Sequence, residues 1–336
     1  MRLFCFSALR LLSFVFALTF AFSDLPARTR YDAVRMFGVD YVDARDVARR
    51  FGMTPRWVKT NESLRLQSQW TKIDFAKDAA DIRINDLRIF LSEPVVSANG
   101  TLYLSRGDAL QVIEPILSPA KTGVPRLKTI VIDAGHGGSD PGNQNPKLKL
   151  QEKRMTLDVA LRLERLLRAR GYRVVQTRQK DRFVEFDDRT QLIRKTGADL
   201  FISIHFNAFR DAAVGGTETY VMTPRYQRSS PQAEQSSSMM NTTYQGNRYD
   251  DWNILLGYHL HRGLVNELEL ADRGLKRFRY RVLRNATCPA VLVEAAFLSN
   301  LQEGRKVSTA AYRQRIAQAI ADGVSAYAQA LKRASS

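Results

Sequence analysis

The apolar positions of this chain change rhythm several times, and each rhythm predicts a different element. An unbroken apolar run, LLSFVFALTFAF, ends at Phe22. Further on, SLRLQSQWTKIDF and DIRINDLRIFL alternate with the period of two expected of half-buried strands. They lie between two similar units, YVDARDVARRFGM from Tyr41 and LYLSRGDALQVI from Leu102. Each unit has an apolar strand start, a polar turn and a helix-like stretch. Together these segments predict a small α+β module over 28–117. The next stretch, SPAKTGVPR, carries two prolines, a glycine and little apolar content, and reads as a linker over 118–127.

After the linker, short apolar strands alternate with helices. KTIVID, YRVVQT, DLFISI, TETYVM and AVLV predict strands. Val159, Ala160, Leu163, Leu166 and Leu167 share one helix face that Gly171 is placed to end; Ile316, Ile320, Val324, Tyr327 and Leu331 share another. Fully apolar strands alternating with helices predict an α/β fold: a twisted, mainly parallel sheet flanked by helices on both faces over 128–332, preceded by the small α+β domain. One segment, at about 223–250, breaks the rhythm. TPRYQRSSPQAEQSSSMMNTTYQGN is rich in Ser, Gln and Asn and predicts an insertion, either a mobile surface loop or a lid over the active site.

Composition narrows the partners. An apolar content of 44% over 336 residues admits a sizeable core. A formal charge of +17 suits a polyanion such as nucleic acid, anionic lipid or an acidic wall polymer. No zinc-knuckle spacing, basic-region helix or aromatic RNA-binding signature accompanies the charge, so no nucleic acid partner is expected. The amino-terminal run is short for a membrane span, which needs roughly 20 apolar residues. Arg2 and Arg10 flank its start, and Ala21 and Ser23 supply a small-x-small cleavage pattern. A signal peptide over 1–23 and export to the periplasm or cell envelope are therefore expected, with an uncleaved amino-terminal anchor as the alternative. Cys5 precedes the apolar run, which argues against lipidation. Cleavage leaves Cys288 as the sole cysteine, with no intramolecular disulfide.

Candidate chemistry sits at strand ends, where parallel α/β sheets place their ligands. His136 follows KTIVID in DAGHGGSDPG, Glu152 opens the first long helix, His205 closes DLFISI, and Glu294 closes AVLV. Two His and one Glu form a common catalytic zinc set with a fourth position open to water. A second Glu near that water can act as general base and then general acid. HExxH is absent, so no single helix presents the ligands. The glycines of GHGG leave the backbone around His136 free to turn sharply.

In this order from Lys128 onward, DAGHGGSDPG, LQEKRMTLDVA, VVQTRQKD, RTQLIRKTGADLFISIHFNA, GTETYV and CPAVLVEAAFLSN resemble the zinc-dependent N-acetylmuramoyl-L-alanine amidases of the Amidase_3 type. The resemblance implies His136, Glu152 and His205 as ligands of Zn2+ and Glu294 as the catalytic glutamate. It implies a peptidoglycan hydrolase that cuts the amide between N-acetylmuramic acid and L-alanine. Peptidoglycan and a protein activator are the expected partners of a monomeric chain. The alternatives are a zinc peptidase acting on the stem peptide and a non-catalytic wall-binding or activator protein. Arg178, Arg189 and Asn207 are the candidate substrate-binding residues, although the two arginines could equally pair with Asp181 or Asp187. Ala296 stands where the family usually has Gly. His259 and His261, two apart on a helix, point to different faces and are not expected to share a metal. Upstream, YVDARDVARRFG and YLSRGDAL resemble the amino-terminal domain of copper amine oxidases.

Overall fold

The computed structural model describes residues 31–230 and 236–336; the expected leader over 1–23 lies outside the described residues. Among those described, no helix is long and apolar enough to cross a membrane. The first strands are β1 (Ala33–Met36), β2 (Val39–Asp43), β3 (Thr54–Lys59), β4 (Ser63–Gln67), β5 (Lys72–Ala76), β6 (Asp81–Ile84), β7 (Leu87–Phe90), β8 (Val96–Ala98) and β9 (Thr101–Ser105). They are followed by β10 (Thr129–Ala134), the two-residue strands β11 (Gln144–Asn145) and β12 (Leu150–Gln151), then β13 (Arg173–Gln176), β14 (Leu200–Asn207), β15 (Thr217–Val221), β16 (Asp272–Arg277) and β17 (Ala290–Phe297). The helices are α1 (Ala44–Arg50), α2 (Arg106–Asp108), α3 (Glu114–Leu117), α4 (Glu152–Ala169), α5 (Phe186–Thr196), α6 (Ser237–Asn241), α7 (Asp250–Leu268), α8 (Arg281–Arg284), α9 (Leu301–Ser308) and α10 (Ala310–Ser335).

The central strands are apolar throughout because both of their faces are covered. Ile130, Ile132, Leu200, Ile202, Ile204, Val291 and Val293 join the core shared with α4, α7 and α10. The alternate residues Val131, Phe201, Ala290 and Leu292 join a second core containing Ile193 of α5 and Val282 and Leu283 of α8. Strand parity thus divides each run between two helix layers. Continuing the second parity toward the strand ends leads to Asp133, Ser203, His205 and Glu294. The same alternation that builds the smaller core therefore delivers polar side chains to one rim of the sheet.

Among the described residues the main sheet has eleven strands in the order β13-β10-β14-β17-β15-β16-β7-β6-β5-β4-β3. The strands β13, β10, β14 and β17 run parallel, β15 is antiparallel to β17, and β16 is parallel to β15. The predicted 28–117 segment contributes a separate small antiparallel sheet and a meander. Its antiparallel meander β3–β7 prolongs this sheet, with β7 lying parallel to β16 through Leu275 and Ile89. A second sheet, β1-β2-β9-β8, packs beside it, and Tyr31–Ser336 forms one compact unit. Residues 119–127 have neither helix nor strand, as a linker should, yet Val124 and Leu127 pack on the common core. The seam is polar as well. Asp272 accepts from the Arg88 backbone at 2.8 Å, and Asp108 pairs with Arg277 at 2.6 Å with both side chains buried.

The insertion is folded over its described part, with its base closed by Asn247 Nδ2 donating to the Thr223 carbonyl at 2.9 Å. Gln227 meets Gln111 at 2.5 Å and also contacts Arg277, and Arg228 lies 3.7 Å from Glu93. These contacts draw the insertion toward the amino-terminal segment. None of its described residues lines the pocket that contains His136 and Glu294.

The Asp108–Arg277 pair joins segments 169 residues apart. Asp108 also accepts from the Ser92 backbone and from the Ser92 and Ser105 hydroxyls. Asp108→Ala strands a buried guanidinium, and the expected loss is about 3–5 kcal/mol of unfolding free energy. Urea titration monitored by circular dichroism measures it; an unchanged midpoint would show that the seam does not stabilise the unit.

Candidate active site

Three backbone features bring the candidate ligands together. β10 ends at Ala134, and His136 follows with a left-handed φ of 61°. β14 carries His205 near its end. Glu152 begins α4, with its own N–H bonded to the Asn143 carbonyl at 2.8 Å. Two glycines supply the space. A Cβ on Gly135 would collide with the His205 imidazole, and one on Gly142 would lie 2.6 Å from His136 Cδ2 and 2.7 Å from Glu152 Oε2. The close approach, not merely the turn, requires glycine at both positions.

At the centre is the Glu152 carboxylate, only 1% exposed. Its Oε1 lies 3.1 Å from His136 Nε2 and 2.9 Å from His205 Nδ1, and accepts from the Phe206 N–H at 3.0 Å. Oε2 accepts from the Asn143 N–H at 2.8 Å. Burial alone would raise this carboxyl's pKa; the hydrogen bonds and charges of His136 and His205 outweigh burial and hold it well below the usual range. Burial likewise opposes the charged form of His136, but Glu152 and Asp140 overcome it and raise the imidazole's pKa. Asp140 Oδ2 contacts His136 Nδ1 at 2.7 Å and fixes the ring. One ligand atom from each of His136, Glu152 and His205 lies within 4.8 Å of the others. A carboxylate held ionised between two imidazoles, one oriented by an outer carboxylate, fits the donor chemistry of a divalent cation.

Glu294 lies next to this set. Its backbone pairs with His205 on one side and Glu218 on the other. Its Oε2 is buried without a hydrogen-bond partner among the described residues. Burial, followed by the charges of Glu152 and Glu218, pushes its pKa well above the ordinary carboxylate value, with Lys276 opposing. It faces a pocket of about 290 Å³ that His136, Glu152 and His205 also line. The apolar walls of this pocket come from Val184, Val282 and Leu292, and its mouth carries the exposed rings of Phe183 and Phe186. A carboxyl with elevated proton affinity beside a cation-ready set can exchange protons with a reacting group.

Of the two arginines read as substrate-binding, Arg189 lines the pocket and Arg178 does not, and both also bond backbone carbonyls. Arg178, 1% exposed, donates to the carbonyls of Ala134, Gly135 and Lys153 at 2.7–2.9 Å. Arg189 binds Asp133 Oδ1 at 2.6 Å and the carbonyls of Ala134 and His136 at 2.9 and 3.0 Å. Both clamp the loop that carries His136, and neither forms an ion pair with Asp181 or Asp187. Asn207 donates to Glu218 and does not line the pocket. Sequence shows the charge of an arginine but not its burial. The pocket cation that the sequence left unmarked is Arg281, half-exposed at the mouth, paired with Asp187 at 2.8 Å and stacked over Phe186. Asp140 had a local signal, four residues after His136 in the same glycine-rich turn. Ala296 is fully buried and does not line the pocket. His261 bridges Thr219 and Asp272 inside the core, while burial lowers the His259 pKa to about 4.

Comparison with known proteins adds an independent line. Residues 130–326 match the profile of the Amidase_3 family, described as N-acetylmuramoyl-L-alanine amidase. The chain is 30% identical to the N-acetylmuramoyl-L-alanine amidase AmiC of Escherichia coli O6:H1 over 246 residues, 66% of this chain and 59% of that protein. It is 32% identical to AmiA of Escherichia coli K12 over 223 residues, 60% of this chain and 76% of that protein. It thus spans about three-fifths of the AmiC relatives' length. The catalytic domain of CwlV, an N-acetylmuramoyl-L-alanine amidase from Bacillus (Paenibacillus) polymyxa, superposes with a TM-score of 0.50 at 31% identity, covering 60% of this chain and 99% of that domain.

Gly135→Ala forces the His205 ring out of place. The expected cost is about 1–3 kcal/mol of stability, as for other overpacked sites, together with a shifted His205 ring resonance in NMR spectra. An unmoved resonance would show that the glycine does not set the ring position.

Proposed function

The chain belongs to the Amidase_3 family of N-acetylmuramoyl-L-alanine amidases, and from that premise we propose that it is an exported, zinc-dependent peptidoglycan hydrolase. The proposed reaction is hydrolysis of the amide that joins the lactyl group of N-acetylmuramic acid to L-alanine. The observation that carries this reading is the partnerless Glu294 carboxyl oxygen in the pocket beside His136, Glu152 and His205. The leader-like amino terminus and the +17 charge support export toward an acidic wall polymer.

His136, Glu152 and His205 would hold the zinc, and Asp140 would keep the His136 ring turned toward it. When bound, zinc supplies Lewis-acid polarisation of the scissile carbonyl and lowers the pKa of water toward ~7. Glu294 takes a proton from the attacking water. As the C–N bond breaks, it returns that proton to the departing L-alanine nitrogen. The products are a stem peptide with a free amino terminus and a glycan with an intact lactyl carboxylate. A raised proton affinity suits this shuttle, because the group must accept a proton and keep it until the nitrogen leaves. Phe183 and Phe186 screen the mouth, where Arg281 is paired with Asp187.

Glu294→Gln is expected to retain bound metal and lose about 10²–10⁴-fold in turnover, read by mass spectrometry of the products released from purified peptidoglycan. Wild-type turnover in this variant would overturn the assignment, and products cut within the stem peptide would make the chain a peptidase. His205→Ala is expected to lose stoichiometric zinc in elemental analysis, with Glu294→Gln as the metal-retaining control. One equivalent of zinc in the His205→Ala protein would remove His205 from the ligand set.

A further inference from the structure

The far end of the main sheet carries a second surface with the chemistry of a binding site. The hairpin joining β4 to β5 turns through Ser68–Thr71, pinned by Ser68 N–H to the Thr71 carbonyl at 2.8 Å and by Ser68 Oγ accepting from the Trp70 and Thr71 N–H groups at 3.2 and 3.1 Å. This fixed turn presents Trp70 to solvent, 81% exposed. A single exposed apolar side chain is ordinary on a protein surface. This one borders a cleft of about 770 Å³ whose other polar side chains are Thr54, Arg56, Gln67, Ser68 and Gln69. No carboxylate lines the cleft among the described residues. Arg56 is exposed and forms no ion pair there, whereas Arg65, its cross-strand neighbour, is neutralised by Asp74 at 2.6 Å.

We propose that this cleft is a secondary binding site for the glycan strand of peptidoglycan. The chemistry matches in three respects. An indole face packs against the C–H face of a pyranose ring and holds its shape at little entropic cost. The amides of Gln67 and Gln69 both donate and accept, as ring hydroxyls and N-acetyl groups require. A free guanidinium with no competing carboxylate suits the lactyl carboxylate of a muramic acid residue from which the stem peptide has been removed. β4 lies six strand positions from β17 in a continuous sheet, roughly 29 Å at ~4.8 Å per strand. A polymer reaches both places at once, and a small fragment does not. Two sites on one rigid sheet then raise the local concentration of strand at the catalytic pocket without any new contact there. The choice of polymer rests on the amidase reading, but binding at the cleft requires no bond to be cut.

The test uses the full chain and peptide-free glycan strands that retain their lactyl carboxylates. Trp57 is half-buried and Trp252 buried, so Trp70 dominates the solvent-exposed emission. The strands are expected to produce a saturable blue shift in tryptophan fluorescence that Trp70→Ala abolishes. In cosedimentation with purified peptidoglycan, Trp70→Ala is expected to weaken binding about tenfold, and Trp70→Tyr to recover most of it. The exposed position keeps the fold intact in both variants, checked by an unchanged thermal midpoint. Inorganic polyphosphate is the competing probe. A shift with polyphosphate and none with glycan would overturn the proposal in favour of a general anion surface, as would undiminished sedimentation of Trp70→Ala. The strands lack the scissile amide, so a chain that binds them but releases no stem peptide from purified intact peptidoglycan would overturn the amidase reading alone.

Discussion

The site depends on one buried anion. Glu152 is almost wholly withdrawn from water, and an isolated carboxylate in that position would be prohibitively costly. Its two oxygens are satisfied by four groups from three separate stretches: His136 after β10, Asn143 in the following loop, and His205 and Phe206 at the end of β14. Each contact offsets part of the desolvation. Each also ties a strand end or the loop between to the first turn of α4, where the helix's own N–H groups favour negative charge. Removing the anion would leave two imidazoles and two backbone donors without a reason to converge.

Around it, the surrounding polar groups act on geometry more than on chemistry. Asp133, itself buried, binds Arg189, Thr177 and Ser203. Arg178 and Arg189 together collect the carbonyls of Ala134, Gly135 and His136 at the end of β10 and that of Lys153 in the first turn of α4. The left-handed turn at His136 is held from below by guanidinium groups, and from the side by the Gly138 N–H bound to Asp181 at 2.7 Å. This rigid frame leaves one reactive group unsatisfied. Among the described residues with a buried side-chain atom left without a hydrogen-bond partner, Glu294 is the one that lines this pocket, and such an oxygen marks where a reacting molecule belongs.

Much of the fold was legible because burial on both faces writes itself as an uninterrupted apolar run. KTIVID, DLFISI and AVLV became β10, β14 and β17, and Gly171 follows α4 with a φ of 89°. Three of the four candidate residues were picked out for a related reason: His136, His205 and Glu294 stand where an apolar run stops, whereas Glu152 opens a helix. The bonds of Arg178 and Arg189 to backbone carbonyls were not legible, because a guanidinium that serves the backbone has the same letter as one that does not. Arg281 was missed because β16, which leads toward it, reads DRGLKR and carries no apolar run. That strand is buried by its neighbours and by Glu218, which receives Lys276 and Arg273 at 2.7 Å each.

The sequence by itself determined the periodicities, and through them the strands, the long helices and the rim where the candidate ligands lie, since local alternation depends only on which side of each element meets water. It also determined the reacting residue types, because their chemistry belongs to the side chains. Tertiary structure alone decided that the amino-terminal meander would extend the main sheet, since edge pairing such as Leu275 with Ile89 carries no local signal. It alone turned the described part of the insertion away from the pocket and toward Gln111 and Arg277. It alone assigned each arginine to a carbonyl, a carboxylate or open solvent. Those outcomes depend on partners far away in the chain, and on a balance between desolvation and pairing that has no value until both partners are in place.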